Sequence, residues 1–326
     1  MSTHGHDALL IDVHSHFVTD GYVEAAKAAG HTHPDGMPGY PAWDAERHLA
    51  LMDQWGVRTS VLSISSPGVH FGDDQAARAL AREVNEFGAR IARGHRGRFG
   101  HFASLPLPDV AGSIEEAGYA LEELGSRGLA IETNAEGSYL GDERYEPLWT
   151  ELDARRAVVF VHPTSPCCWE AVSLGRPRPM LEFIFDSTRT VSDLVFSGVL
   201  RRHPDIEWIF THGGGTLPLL ADRIELFRSV FMAADPDEPS APEQIRRLWF
   251  DMAGTPFPNQ IPALVKAFGA ERLLYGSDYC WTPDAGTTAQ VKSVDDAPQP
   301  AGDTWRELTT RNALRLLPGL DRPHAG

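Results

Sequence analysis

Cysteine is scarce in this sequence, with three residues among 326. Cys167 and Cys168 are adjacent and Cys280 lies far away, and an odd number of thiols without regular spacing excludes a disulfide framework. This usage suits a reducing compartment. Positive charge is also scarce, because 29 Lys and Arg stand against 45 Asp and Glu and give a net charge of −16. Such an acidic surface repels phosphate backbones and anionic lipids, so no nucleic acid and no membrane is expected as a partner.

Long apolar runs and a targeting segment are absent as well. No stretch approaches the roughly 18 apolar residues of a membrane span, and residues 1–12 lack the basic region of a secretory signal. We therefore expect a cytoplasmic protein. Barrel folds of about 250 residues form one domain, so the sequence predicts a single domain over residues 1–326.

The chain instead contains an alternation of short apolar runs with helical patterns. The runs cover residues 9–13, 60–64, 99–105, 128–133, 157–161, 206–210, 248–252 and 272–275. Helices are predicted at 74–93, 110–124, 145–155, 261–268 and 304–317, and two more end near residues 55 and 227. Eight strand–helix units indicate an α/β protein of the (β/α)8 TIM-barrel type. A doubly wound open sheet is the alternative, but its glycine-rich first turn is replaced by His14-Ser15-His16.

Three loops interrupt the alternation. They cover Gly30–Trp43, Pro163–Pro179 and Ala233–Pro242. Long loops in a compact barrel usually act as lids or binding loops.

Ionisable side chains follow several of the predicted strands. His14 and His16 end the first strand, where residues two apart point to the same side and Asp12 is expected to face the same way. His162 ends the fifth strand, and His212, before three glycines, ends the sixth. Active sites of this fold lie at the rim where parallel strands end. Asp278 follows the eighth strand, so the set predicts a metal site of nitrogen and oxygen ligands.

The fourth strand bears on the number of ions. A two-metal barrel commonly has a bridging group there, and this strand offers no lysine but ends with Glu132. A glutamate at that position more often turns toward a helix or a salt bridge, so one ion is favoured. With His14, His16, His162 and Asp278 as ligands, the ion keeps one open position. Zinc suits this set best and manganese is possible.

His212 is then available for acid–base chemistry beside the ion. The alternatives are a fifth ligand or a hydrogen-bonded core histidine. Its three following glycines are expected to let the backbone pass close to a substrate.

Four motifs in order resemble the amidohydrolase superfamily, in particular its decarboxylase branch typified by aminocarboxymuconate-semialdehyde decarboxylase. They are Asp12–Phe17, Val161–Pro163, His212–Gly215 and Gly276–Tyr279. Segments 33–38, 62–68, 103–109 and 139–142 look more specifically like 6-methylsalicylate decarboxylases. The resemblance implies the same four ligands, His212 as the acid–base residue, and a small aromatic hydroxy acid as substrate.

The resemblance also suggests residues that bind substrate. Arg223 matches an arginine that reaches the neighbouring subunit's site in related decarboxylases, which implies a homodimer; a surface salt bridge to Asp222 or Glu225 is the alternative. No arginine occurs in Gly30–Trp43, where aminocarboxymuconate decarboxylase has one, and this disfavours a muconate-type substrate. Trp281 could wall the pocket or be a plain core residue. His70 is a pocket candidate or an exposed loop histidine.

The expected reaction is therefore non-oxidative decarboxylation of a 6-methylsalicylate-like acid. Protonation of the ring carbon by Asp278 or His212 would precede the loss of CO2. Hydrolysis of a lactone or amide at the same metal is the alternative. A metal-binding protein without activity is a third reading.

Overall fold

The computed structural model describes residues 8–232 and 237–320. Eight parallel strands form one sheet in the order in which they occur along the chain, as predicted. These strands are β1 (Leu10–His16), β2 (Val57–Ser63), β3 (Phe99–Ser104), β4 (Gly128–Glu132), β5 (Val158–His162), β6 (Glu207–Phe210), β7 (Trp249–Asp251) and β8 (Leu273–Leu274).

The sheet closes on itself between its first and last strands. Asp12 pairs in parallel with Tyr275, and Ser15 with Tyr279. The amide of Val13 donates to the carbonyl of Tyr275 over 3.0 Å. The fold is therefore a (β/α)8 barrel.

Helices surround the barrel and connect its strands. They are α1 (Asp20–Ala28), α2 (Ala45–Trp55), α3 (Asp74–Gly94), α4 (Val110–Glu122), α5 (Glu146–Ala154), α6 (Trp169–Val172), α7 (Glu182–Ser197), α8 (Val199–Arg202), α9 (Leu217–Phe231), α10 (Ala241–Ile245), α11 (Ile261–Phe268), α12 (Asp284–Asp296) and α13 (Trp305–Leu316). Side-chain caps fix several starts: Asp73 accepts from the amide of Ala76 before α3, and Thr304 begins α13 with a capping box. No helix in the described ranges is long and apolar enough to cross a membrane.

The core has two parts. One apolar layer lies between the strands and the surrounding helices, and the other fills the barrel interior. The interior cluster includes Val13, Phe102 and Phe160, and Leu317 and Leu320 from the end of α13 and beyond belong to it. These leucines cover the end of the barrel where the strands begin, so the ends with the ionisable residues remain available for a site.

The predicted loops contain short elements. A 3-10 turn, Pro34–Gly36, lies in the first loop, while α6 and the turn Arg178–Met180 lie in the loop after β5. An antiparallel hairpin, Asn134–Ala135 with Ser138–Tyr139, follows β4 and is not evident from the sequence pattern. In the third loop, residues 233–236 lie outside the described residues.

Candidate metal centre

Four side chains from three parts of the rim converge on one point. They are His14, His16, His162 and Asp278, whose ligand atoms all lie within 4.8 Å of one another. His14 Nε2 and His16 Nε2 are 3.0 Å apart. Asp278 Oδ1 lies 3.4 Å from His14 Nε2 and 3.1 Å from His16 Nε2. The structure thus brings together all four residues that the sequence suggested as ligands.

Hydrogen bonds on the far side of each imidazole orient its ring. His14 Nδ1 donates to Asp251 Oδ2 over 2.8 Å, and His162 Nδ1 donates to the carbonyl of Pro163 over 2.8 Å. His16 Nδ1 donates to the carbonyl of Ser63 over 3.3 Å. Because a carboxylate and a carbonyl can only accept, Nδ1 of His14 and of His162 carries the proton and each Nε2 keeps a lone pair for the common point. Nδ1 of His16 also lies 3.1 Å from Ser63 Oγ, and its proton on the carbonyl side leaves Nε2 of His16 free in the same way.

This donor set fits a single divalent cation. Three nitrogen lone pairs and a carboxylate at such short separations repel one another unless a positive charge lies between them. Asp278 Oδ1 is buried and has no hydrogen-bond partner in the described parts of the chain. Three imidazoles and one carboxylate are ligands that zinc and related ions accept, with a position left for substrate.

The pKa values agree with this reading. Burial lowers the pKa of His16 and holds that of His162 well below its usual range, so both rings stay neutral and can ligate. Burial acts against a charge on His14 too, but the adjacent Asp251 carboxylate raises the pKa of His14 to about 10. Its Nε2 therefore attracts a cation, either a proton or a metal ion. Burial acts to raise the pKa of Asp278, but the imidazoles of His14, His16 and His212 hold it well below its usual range.

Asp12 does not join the converging atoms, although the alternation along β1 predicted that it would. The pairing of β1 with β2 shifts register between Asp12 and Ser15, which breaks the simple alternation. The Asp12 carboxylate instead accepts from the amide of Ser277 over 3.0 Å and from its hydroxyl over 2.6 Å. Asp12 therefore anchors the segment that carries Asp278.

His212 lies beside the cluster, with Nε2 at 3.6 Å from Asp278 Oδ2. Its backbone amide donates to Asp251 Oδ1 over 2.9 Å, and its Nδ1 lies 2.9 Å from Thr211 Oγ1. Both His212 and Asp278 have positive φ angles, 52° and 58°. Such backbone strain in non-glycine residues is concentrated at functional sites.

Tight packing explains why glycines follow His212. A Cβ at Gly215 would lie 2.4 Å from the carbonyl oxygen of Ile184, and one at Gly214 would lie 2.7 Å from the Phe250 ring. Glycine is therefore required at Gly214 and Gly215 because the backbone there passes close to other parts of the protein, whereas the sequence analysis expected a close approach to a substrate.

A cavity of about 710 Å³ opens at the same rim, next to Glu132, and none of the four converging residues is among those that line it. Its inner wall includes Ile64, Glu132 and Thr164, which stand at or just after the ends of β2, β4 and β5. Glu132 lies opposite His162 in the strand register, and its Oε2 is 3.8 Å from His162 Nδ1. That oxygen has no hydrogen-bond partner among the described residues. Glu132 thus faces the cavity rather than a helix or an arginine.

The three predicted substrate-binding residues occupy different places. His70 lines the cavity, but its Nε2 is 2.9 Å from Asp74 Oδ1 and its Nδ1 accepts from the amide of Gly72. Trp281 is outside that wall and packs against Tyr40, with ring centroids 5.8 Å apart.

Arg223 is also outside the wall of the cavity. It is exposed on α9, with its guanidinium 4.9 Å from the centre of the Phe227 ring. Neither Asp222 nor Glu225 is its partner in an ion pair of the described chain. The structure therefore does not bring Arg223 to the metal cluster of the same chain.

Two residues of the site escaped the sequence reasoning. Asp251 ends β7, so the same search for carboxylates at strand ends would have found it. Arg178 lines the cavity from the loop after β5, and no local pattern marks it.

The sequence profile of the amidohydrolase family, Amidohydro_2, matches residues 11–319. The chain belongs to this amidohydrolase family. That membership agrees with the resemblance found in the four rim motifs, which all lie inside the matched range.

Within the amidohydrolase family the chain is similar to fungal enzymes named as decarboxylases. Decarboxylase yanB of Aspergillus niger is 35% identical, and the match covers 96% of this chain and 88% of that protein. The 6-methylsalicylic acid decarboxylase acuB of Aspergillus aculeatus is 36% identical, with 97% and 98% covered. A crystal structure described as amidohydrolase II superposes with a TM-score of 0.89 at 31% identity, covering 94% of this chain and 99% of the other.

Proposed function

We propose that this chain is a metal-dependent, non-oxidative decarboxylase of a small aromatic hydroxy acid of the 6-methylsalicylate kind. The observation that carries the proposal is the convergence of three imidazole lone pairs and Asp278 Oδ1 beside His212. Full-length similarity to proteins named as decarboxylases supports it.

The chemistry of the substrate explains why such a site is needed. Direct loss of CO2 from a benzene ring would leave an aryl anion, which is very unfavourable. Adding a proton first to the ring carbon that bears the carboxylate removes this problem, and CO2 then leaves as aromaticity returns. A divalent ion held by His14, His16, His162 and Asp278 would supply Lewis acidity to the bound acid.

The protein's own part is to hold the ring and deliver the proton. We assign delivery to the pair His212 and Asp278, because His212 Nε2 lies 3.6 Å from Asp278 Oδ2 and Asp278 also belongs to the proposed ligand set. A positioned acid of this kind contributes about 10²- to 10⁴-fold in rate.

Zinc is the ion we propose, because three imidazoles and one carboxylate form a borderline donor set. Manganese is the second candidate, since a carboxylate and substrate oxygens suit it. Elemental analysis of protein purified without added metal distinguishes the two, and one equivalent per chain is expected.

We further propose a homodimer in which Arg223 acts in the partner's site. Arg223 is exposed on α9 among large apolar side chains that are also exposed. The exposed large apolar side chains of α9 and of the residue that follows it are Leu219, Leu226, Phe227, Val230, Phe231 and Met232. Several exposed large apolar side chains on one helix are typical of a protein interface, and a second copy would cover them while placing a guanidinium beside the substrate carboxylate.

The test is to incubate metal-analysed protein with 6-methylsalicylate and measure CO2 and 3-methylphenol. We expect stoichiometric release of both, loss of activity after chelation, and recovery with zinc or manganese. A lactone and amide panel runs in parallel. Turnover of that panel without CO2 release from any hydroxybenzoate would replace this proposal with a hydrolase.

A further inference from the structure

Glu132 places a carboxyl group on the wall of the cavity at the rim. It ends β4, and its side chain is 17% exposed. Its Oε2 atom is buried and has no hydrogen-bond partner within residues 8–232 and 237–320. Buried polar atoms are nearly always paired, so an unpaired one on a cavity wall indicates a place for a ligand atom.

The strand register brings this carboxyl close to the proposed metal centre. Glu132 pairs with His162 across β4 and β5, and Oε2 lies 3.8 Å from His162 Nδ1. Since a metal–nitrogen bond is about 2 Å long, Oε2 lies at most about 8 Å from an ion on the other ring nitrogen, His162 Nε2. Glu132 therefore belongs both to the cavity wall and to the surroundings of the ligands, and one substituted benzene ring can reach from the ion to Oε2.

Packing against a glycine holds Glu132 in this position. Gly68, in the loop after β2, has a φ of +77°, and a Cβ there would lie 3.1 Å from Glu132 Cγ and 3.3 Å from Oε1. The missing side chain at Gly68 leaves room for the carboxyl beside the backbone of that loop. The position of Oε2 is thus set without using its capacity for hydrogen bonds.

A ring hydroxyl is the donor that this acceptor suits. An acid of the 6-methylsalicylate kind has a carboxylate, which the ion attracts, and a hydroxyl, which is its one hydrogen-bond donor. Burial raises the pKa of Glu132 well above its usual range, and the charge of Asp35 acts in the same direction. A carboxyl group keeps an acceptor oxygen in both protonation states, so the match with a hydroxyl does not depend on the charge of Glu132.

We propose that Glu132 determines specificity by accepting a hydrogen bond from the ring hydroxyl of the bound acid. The inference rests on the proposed function and deepens it, because it names the residue that selects hydroxy acids over acids without a hydroxyl. An acid whose hydroxyl is absent or methylated leaves Oε2 unpaired and loses about 10-fold in affinity. Holding the hydroxyl at Oε2 and the carboxylate at the ion also fixes the orientation of the ring.

The experiment titrates 2-hydroxybenzenesulfonate and 2-methoxybenzenesulfonate into metal-loaded protein in a calorimeter. Their sulfonate group carries the charge of the carboxylate and cannot leave as CO2. Wild-type protein is expected to bind the hydroxy compound at least about 10-fold more tightly. Glu132→Met and Glu132→Leu remove the acceptor and are expected to lower this ratio about 10-fold, whereas Glu132→Gln keeps a carbonyl oxygen and should retain most of it.

The matched control is Glu136→Met, which should leave the ratio unchanged. Glu136 lines the same cavity, but its side chain is exposed and lies 3.3 Å from His70 Nδ1. Urea unfolding checks the fold of each variant, and the midpoint of Glu132→Met should not fall, because an unpaired buried carboxyl does not stabilise the native state.

The titration separates this inference from the proposed function, because it needs no turnover. If no hydroxybenzoate releases CO2, the proposed function fails, and a hydroxyl preference that Glu132→Met removes supports the inference even then. A ratio that is equal in wild type and in folded Glu132→Met or Glu132→Leu overturns it, as does wild-type protein without a preference for the hydroxy compound.

Discussion

At the scale of single residues, the ligand geometry depends on side chains behind the ligands. Asp251 accepts from His14 Nδ1, from the amide of His212 and from the amide of Ala253. One buried carboxylate thus orients a metal ligand and the proposed acid–base residue together.

Replacing Asp251 by Asn is expected to weaken metal binding by about 10- to 100-fold. An amide nitrogen at the Oδ2 position would face the His14 N–H as a second donor, which favours the wrong tautomer. Competition with a chromogenic chelator measures the affinity. Asp296→Asn, which removes an exposed carboxylate paired with Lys292, is the control and should leave affinity unchanged. Equal affinities in both variants would contradict the role of Asp251.

His212→Ala and Asp278→Asn separate the two parts of the proposed proton delivery. We expect His212→Ala to retain one equivalent of metal and to lose at least about 100-fold in kcat, because a positioned acid contributes that much. Asp278→Asn should lose both turnover and metal affinity, since Oδ1 is also a proposed ligand. Metal content is measured beside the rate. Near-full turnover of either variant with metal bound would remove that residue from the mechanism.

At the scale of secondary structure, the strands were predictable and several connecting elements were not. The run 157–161 is apolar because a barrel strand is buried on both faces, and β5 overlaps it and ends one residue later, at His162. The strand β7 lies within the run 248–252 and ends at its single carboxylate, Asp251. The sequence pattern missed the hairpin after β4 and the helices α1, α6, α7, α8, α10 and α12. The hairpin strands have two residues each, which is too short for a periodic signal.

The side chains of the site likewise divide into those that the sequence placed correctly and those that it did not. Residues at strand ends could be placed from the sequence because the topology brings those ends to one rim. Asp12 was misplaced by a register shift that only the pairing of β1 and β2 reveals. Arg178 was missed because its position depends on how two irregular loops pack, which local pattern does not encode.

Glu146, at the start of the helix α5, predicts how the stability of the fold depends on pH. Arg202 forms hydrogen bonds with both of its oxygens, and His203 adds a third contact, which lowers the pKa of Glu146 to about 2. A carboxyl whose pKa is lowered on folding stabilises the fold above its unfolded value near 4.5 and loses this effect as the pH falls toward 2.

We therefore expect Glu146→Gln to destabilise the protein by about 1 kcal/mol at pH 7, a modest value because both partners are partly exposed to solvent. The difference from wild type should shrink steadily below pH 4.5. Urea unfolding midpoints at several pH values measure it, with the exposed neighbour Glu143→Gln as control. A difference that does not change with pH would exclude the ion pair as its cause.

At the scale of the whole molecule, the exposed apolar side chains of α9 predict the assembly. Leu226 is 50% exposed and Phe231 is 70% exposed, and both belong to the same helix as Arg223. Burying such side chains between two copies contributes about 25 cal/mol for each Å² removed from water. The family resemblance implies a homodimer, and we propose that α9 forms its interface.

Leu226→Glu is expected to convert a dimer into a monomer of 35.8 kDa and to abolish turnover while the chain stays folded. Sedimentation measures the mass, and circular dichroism checks the fold. Leu9→Glu, a charge at another exposed leucine, should leave a dimer. A wild-type protein that sediments as a monomer would contradict both the assembly and the role proposed for Arg223.

The leucines that cover the start of the barrel determine where substrate can enter and products can leave. Leu317 and Leu320 belong to the packed interior together with Phe102 and Phe160, so this end offers no passage through the described part of the molecule. An acid entering, and the gas and phenol leaving, must share the mouth at the opposite rim. A phenol that lingers there competes with incoming acid, so accumulated product should slow the enzyme by raising the apparent KM rather than by lowering kcat.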